Sequence, residues 1–351
     1  MMKTRGIESL RTGFGIFYKV NGNKLITFAM LDIDRLFVRF GQFGGWRVLR
    51  EYARMGVLGT GCWTLAQCIF KGQSVKRAYH DITERVDRIL ERDYSHLFKV
   101  YDNVDWNSCN VACDRTKPKI IWTAWLQGID QAPEIVKVCW NSQKAFLPDY
   151  EYRIMTLENF HQWVSLPDDI IGKFKKGAMP PACFADLLRL AALKEYGGVW
   201  MDASLLCTGL KSDRLKELWC QIEKSELTIP RYFRKGERCA VGLGNWFISA
   251  KKWNRVINGV FDAMIAYWHD HDCVTDYYMM HLFLALALRR WPETTVDMPR
   301  LNGYHCIMMG DWINKGVSKE QWDELTAHVA FHKLNYRKIG NREMEIIKAL
   351  T

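Results

Sequence analysis

Three ionisable residues, Asp186, Arg189 and Asp202, are spaced so that they could grip a phosphorylated ligand. Asp186 and Arg189 stand three apart, which places both on one face of a helix. A guanidinium holds phosphate oxygens through two parallel hydrogen bonds, so Arg189 is the natural phosphate partner. A carboxylate such as Asp202 suits a hard divalent cation, whereas Ser204, two residues on, is a weak ligand beside it. The plainer alternatives are an intrahelical Asp186–Arg189 ion pair of small worth and an Asp202 that caps a turn.

The elements that must position these groups are legible around them. Leu187, Leu188, Ala191 and the run from Leu193 to Tyr196 have helical apolar spacing. Gly197-Gly198 can take the left-handed conformation that ends a helix. Val199-Trp200-Met201 is apolar without alternation, as in a strand covered on both faces. Asp202 follows at the strand's carboxyl end, where ligands sit in open α/β sheets. Upstream, the spacing predicts a strand at Lys119–Trp122, a helix over Pro133–Phe146, a strand at Tyr152–Met155 and a helix over Leu157–Val164. Downstream it predicts a strand at Asn245–Ser249, helices over Asn254–Trp268 and Thr275–Trp291, and a short strand near Val329–Phe331 leading to His332 and Lys333. That rhythm implies a parallel α/β sheet over residues 116–351. Residues 1–115 read as a helical accessory region, with an amphipathic helix after Ser74 (Val75, Tyr79, Ile82, Val86, Ile89) and a polar linker at Tyr101–Lys117.

The pattern D-x-x-R-x-x-x-L-x-x-x-G-G-x-x-x-D-x-S over residues 186–204 resembles the signature of DXD-type sugar-nucleotide glycosyltransferases. Closest are the capsular polysaccharide synthesis proteins, with the initiating mannosyltransferases and the glucosylating toxins as relatives. KPKIIWTAW, Asn245-Trp246-Phe247-Ile248-Ser249, Asp276-Tyr277 and His332-Lys333-Leu334 stand in the family's order, so the resemblance covers residues 117–337. It implies a GT-A-like, Rossmann-type, mostly parallel sheet flanked by helices, and a nucleotide-sugar-dependent hexosyltransferase that retains anomeric configuration. Asp186 and Arg189 would then hold the nucleotide and its phosphates, and Trp125 would stack on the base. Asp202 and Ser204 would meet the donor, with Asn245 and Asp276 on the donor sugar or acceptor. Mn2+ or Mg2+ would sit on Asp202, with His332 as a further ligand. Ser204 departs from the second acid of the motif, which weakens that metal site.

Composition limits the alternatives. The 351 residues are 48% hydrophobic and 25% charged, as in an ordinary globular protein. The net charge of +10 points to anionic partners. Residues 1–56 hold ten Lys or Arg against four acids, interleaved with Phe37, Phe40, Phe43, Trp46 and Leu49. This stretch reads either as a helical hairpin packed on the rest or as a foot on an anionic membrane surface. No nucleic-acid motif occurs. The eleven cysteines include no CxxC pair and read as reduced thiols, and no run is long and apolar enough to span a bilayer. His269-Asp270-His271-Asp272 ends a helix with diverging side chains, so it reads as a solvated helix end rather than a metal site.

These readings converge on a cytoplasmic enzyme, peripheral at the inner face of the membrane. It would transfer sugar from a nucleotide-sugar donor to a glycan or lipid-linked glycan acceptor. The rival is a non-catalytic nucleotide-sugar or glycan-binding protein with a degenerate metal motif. A sugar nucleotidyltransferase is disfavoured because the glycine-rich phosphate loop it needs is missing.

Overall fold

The computed structural model describes residues 10–12, 15–17, 46–70, 75–104, 117–232 and 242–350. The chain divides into two compact units, Met1–Ile89 with Cys273–Tyr277, and Leu90–Asp272 with Tyr278–Thr351. Phe37, Phe40, Phe43, Cys109, Cys113 and most of the expected linker lie outside the described residues.

The first unit holds a hairpin of β1 (Leu10–Thr12) and β2 (Gly15–Phe17), with helices α1 (Trp46–Arg54) and α2 (Leu58–Phe70). The expected amphipathic helix is α3, Val75–Tyr94, with Val86, Ile89 and Leu90 on its buried face. Trp46 and Trp63 are exposed. The Tyr52 hydroxyl donates to Thr275 O at 2.7 Å, and the Thr83 hydroxyl donates to Asp276 Oδ2 at 2.6 Å. No helix among the described residues is long and apolar enough to cross a membrane.

In the second unit, β3 (Ile120–Ala124), α4 (Glu134–Phe146), β4 (Glu151–Met155), α5 (Asp168–Lys175), α6 (Pro181–Glu195) and β5 (Gly198–Met201) follow the expected strand–helix rhythm. Next come β6 (Leu205–Cys207), α7 (Asp213–Lys224), β7 (Leu227–Thr228), β8 (Phe247–Ala250), α8 (Arg255–Asp270) and α9 (Met279–Arg290). The remaining elements are α10 (Gly303–Lys315), α11 (Lys319–His328), β9 (Phe331–Lys333) and α12 (Asn341–Leu350). The central sheet has the order β4-β3-β5-β8-β7. Pairings β3–β4 and β3–β5 are parallel, while β8 runs antiparallel to both of its neighbours. Four strands therefore share a direction and β8 alone is reversed. Alternation along the strands divides the core. Ile121, Val199, Met201 and Phe247 join the cluster of α4, α10 and α12, whereas Trp122, Trp200 and Ile248 face the other way.

Gly197 and Gly198 have φ of +76° and +100°. A Cβ on Gly198 would lie 2.7 Å from Ile120 O, and one on Gly197 would lie 2.5 Å from Lys252 N. Only glycine satisfies both the dihedral and the close approach. Two expected helices differ. Leu157–Val164 contains only a 3-10 turn at Phe160–Gln162, because Asn159 bonds Thr156 N and Ile154 O and folds the segment through its side chain. The expected Thr275–Trp291 helix starts at Met279, since the Thr275 carbonyl and the Asp276 carboxylate are engaged by Tyr52 and Thr83.

Candidate functional site

From β3 the chain moves to β4 on one side and then returns past β3 to β5 on the other. Strands β3 and β5 thus flank the sheet's switch point, and in open α/β sheets ligands bind outside the carboxyl ends of the strands at such a point. Trp125 follows β3 there and Asp202 follows β5. Residue 202 is fixed by its backbone: its N–H donates to Trp246 O at 2.8 Å, and its carbonyl accepts from Gln143 Nε2 at 3.0 Å.

Side chains from four elements meet at this point. Arg189, on α6, donates from Nη1 to Asp186 Oδ1 at 2.7 Å and from Nη2 to Asp202 Oδ1 at 2.9 Å. Its guanidinium lies 4.7 Å from the centre of the Trp200 ring, and Trp200 Nε1 donates to Asp202 Oδ1 at 2.9 Å. Asn245, just before β8, donates from Nδ2 to Asp186 Oδ1 at 3.1 Å. From β9, Lys333 Nζ sits 3.0 Å from Asp202 Oδ2 and donates to Ser204 Oγ at 2.6 Å. Antiparallel pairing of Leu205 with Lys333, and a bond from Leu334 N to Ser204 O at 3.0 Å, hold that lysine in register. The side chain of Arg189 is 5% exposed, against 22% for Asp202 and 26% for Lys333. Arg189 is therefore the deeply buried cation that bonds both carboxylates, and Lys333 is the more exposed one.

The two acids respond oppositely to this setting. Burial disfavours ionisation of Asp186, and the Asp202 charge adds to it; Arg189 offsets this only in part, so the carboxyl is pushed up to about 6. Burial also opposes ionisation of Asp202. Lys333, Arg189 and the Trp200 N–H outweigh it and hold that carboxyl down to about 2. His281, on α9, is buried among the same charges. Burial and Arg189 push its imidazole down to about 3, so it is neutral.

The structure brings Asp186, Arg189, Asp202, Ser204 and Asn245 into one network. Trp125 stands at the same end of the sheet, with its backbone N–H donating to Met155 O at 2.9 Å and its ring edge-on to Tyr336 at 5.4 Å. Asp276 belongs to the first unit, where it accepts the Thr83 hydroxyl. His332 does not reach Asp202. Neighbouring residues of a strand point to opposite faces, so Lys333 takes the Asp202 side. His332 is fully buried, with Nε2 3.0 Å from Thr208 Oγ1 and its ring stacked near Trp322. The His269–Asp272 cluster diverges as expected: His269 pairs with Asp169, Asp270 accepts from Tyr94, His271 stacks on Tyr267 and Asp272 pairs with Lys173. Sequence reasoning gave no role to Lys333, Trp200 or His281. The usable signal was strand alternation at 332–333, which lets only one of those two side chains face Asp202.

A divalent cation on Asp202 does not fit these residues. Both carboxylate oxygens already face cations or N–H donors, and Ser204 Oγ accepts from the Lys333 ammonium. A dication within about 4 Å of that ammonium would be repelled by about 8 kcal/mol even at an effective dielectric of about 20. Among the described residues, no group of three His, Cys, Asp or Glu side chains is placed to hold a metal.

No curated protein matches the chain. Among solved structures it is similar to the PaToxG glycosyltransferase, at 16% identity over 67% of this chain and 85% of that one, with a TM-score of 0.34. The family described as capsular polysaccharide synthesis protein matches residues 67–349, and the chain belongs to that family.

Proposed function

We propose that the chain is a glycosyltransferase of GT-A type that moves a hexosyl group from a nucleotide-sugar donor to a capsular or exopolysaccharide glycan, with retention of anomeric configuration. One observation carries this reading: Asp186 and Asp202 converge on a buried Arg189 outside the carboxyl end of β5, at the switch point of the sheet. Membership of the capsular family supports it. In this reading Trp125 stacks on the base, a contact worth about 1–3 kcal/mol. Asp186, Asn245 and Asp202 hold ribose and sugar hydroxyls, and Arg189 keeps both carboxylates in place. The acceptor oxygen bonds to the anomeric carbon on the face from which the nucleoside diphosphate departs. The electron pair of the broken C–O bond goes to the phosphate oxygen, which takes the acceptor's proton. The acceptor, a glycan or lipid-linked glycan, is met at the inner, anionic face of the membrane by an enzyme working from the cytoplasm.

The test is a panel of nucleotide sugars offered to the purified chain, first by thermal shift and then by nucleoside diphosphate release with a glycan acceptor. Stabilisation by one donor class together with its turnover is the expected result. A second reading, a non-catalytic nucleotide-sugar or glycan-binding protein, is favoured by Ser204 standing where the motif has an acid. Stabilisation without turnover of any donor would select it, and no stabilisation by any donor would remove both.

A further inference from the structure

We propose that Lys333 is a catalytic residue that takes the place of a divalent cation at the departing diphosphate, so that transfer proceeds without metal. The inference rests on the transferase reading for the identity of the ligand; the placement of the lysine stands independently of it. In a carboxylate–metal site, an acid at position 202 and a second at 204 would bind the cation, and the cation would bind phosphate oxygens. Here residue 204 is a serine, and the Lys333 ammonium occupies the space between the two side chains, 3.0 Å from Asp202 Oδ2 and 2.6 Å from Ser204 Oγ.

The exchange is chemically consistent. An ammonium needs acceptors, and a serine hydroxyl supplies one without adding a second negative charge. A second carboxylate there would strengthen the case for a metal. The ammonium has three N–H donors. Two point at Asp202 and Ser204, which leaves the third for a phosphate oxygen. At 26% exposure the side chain is open enough to meet a ligand, unlike Arg189 at 5%. Its position is built by backbone pairing in the β6–β9 ribbon and does not depend on a flexible loop. As the C–O bond of the donor breaks, the electron pair settles on the phosphate oxygen, and the fixed positive charge of Lys333 stabilises it with no proton lost from the lysine.

The experiment measures nucleoside diphosphate release, and binding of uridine or guanosine diphosphate, in EDTA and again with manganese. The wild-type chain and the variants Lys333→Met, Lys333→Arg and Ser204→Asp with Lys333→Ala are compared. Expected results are wild-type kcat within twofold with and without EDTA, a fall of at least 100-fold in Lys333→Met, and partial retention in Lys333→Arg. The double variant should recover turnover only when manganese is present, which a merely structural lysine would not produce. Loss of wild-type turnover in EDTA with restoration by manganese overturns the proposal, as does Lys333→Met within threefold of wild type. If no donor is turned over by the wild-type chain, the transferase reading fails, and the diphosphate Kd in EDTA then decides the lysine's role. A tenfold weakening in Lys333→Met supports the contact with phosphate; an unchanged Kd, or binding that needs metal, refutes it.

Discussion

Replacing Asp186 with asparagine should make the protein more stable at neutral pH, although it removes an ion-pair partner of a buried arginine. The carboxyl moves from an ordinary 3.8 to about 6 on folding. Between those values the folded chain holds a proton that the unfolded chain has lost. Stability therefore falls as pH rises through that window, then levels off. At about 1.4 kcal/mol per pH unit, the full penalty above pH 6 is about 3 kcal/mol, an upper figure because the carboxyl keeps some contact with water. An asparagine has the same shape, and its oxygen can keep both the Arg189 and Asn245 bonds, while Arg189 retains Asp202. The assay is thermal or urea unfolding of both chains from pH 4 to 8. The two should match near pH 4 and separate by up to about 3 kcal/mol at pH 7.5, or about 6–12 °C in Tm for a domain of this size. A variant no more stable than wild type at pH 7.5, or a gap that does not change with pH, would refute the reasoning. Taking the difference between the two chains cancels the other carboxylates.

Asp202→Asn should do the opposite, since a carboxyl held down to about 2 contributes about 2 kcal/mol above pH 4 that is lost as pH falls from about 4 to 2; acid unfolding of the two chains measures it, alongside loss of turnover. Gly198→Ala combines φ of +100° with a Cβ 2.7 Å from a carbonyl oxygen and should cost at least about 2 kcal/mol, and an unchanged Tm would count against the reason given for the glycine pair. Trp125→Ala should weaken donor binding by about 1–3 kcal/mol, roughly 5- to 150-fold, with Trp125→Phe recovering much of it; calorimetry showing equal Kd for all three chains would remove the stack.

The signature helix, the glycine pair and β5 were legible because local rules agree there: helical spacing, a stop that only glycine permits, and a short apolar strand. The convergence of Asp186, Arg189 and Asp202 followed from that local order, and Asn245 joined it from the neighbouring strand. Lys333 was not legible, since its place depends on the register of β9 against β6, set by packing about Phe331 and Leu206 rather than by a nearby motif. The same register explains why His332, a plausible ligand by residue type, lies in the core. The late start of α9 was hidden too, because Thr275 and Asp276 are engaged by residues about 200 positions earlier in the chain. Helices α5 and α7 went unassigned because their apolar stripes are narrow and interrupted by charge.

The β6–β9 ribbon also imposes an order on biosynthesis. Ser204 and Lys333 are separated by 129 residues, and every strand of the central sheet precedes β9. A nascent chain emerging from the ribosome can therefore complete that sheet, and bring Arg189 to Asp202, well before the ammonium arrives. Until then Asp202 lacks one of its two cations. If Lys333 acts as proposed, translation that stalls or proteolysis that clips the chain ahead of residue 333 leaves Asp202 and Ser204 without the ammonium meant for the departing diphosphate.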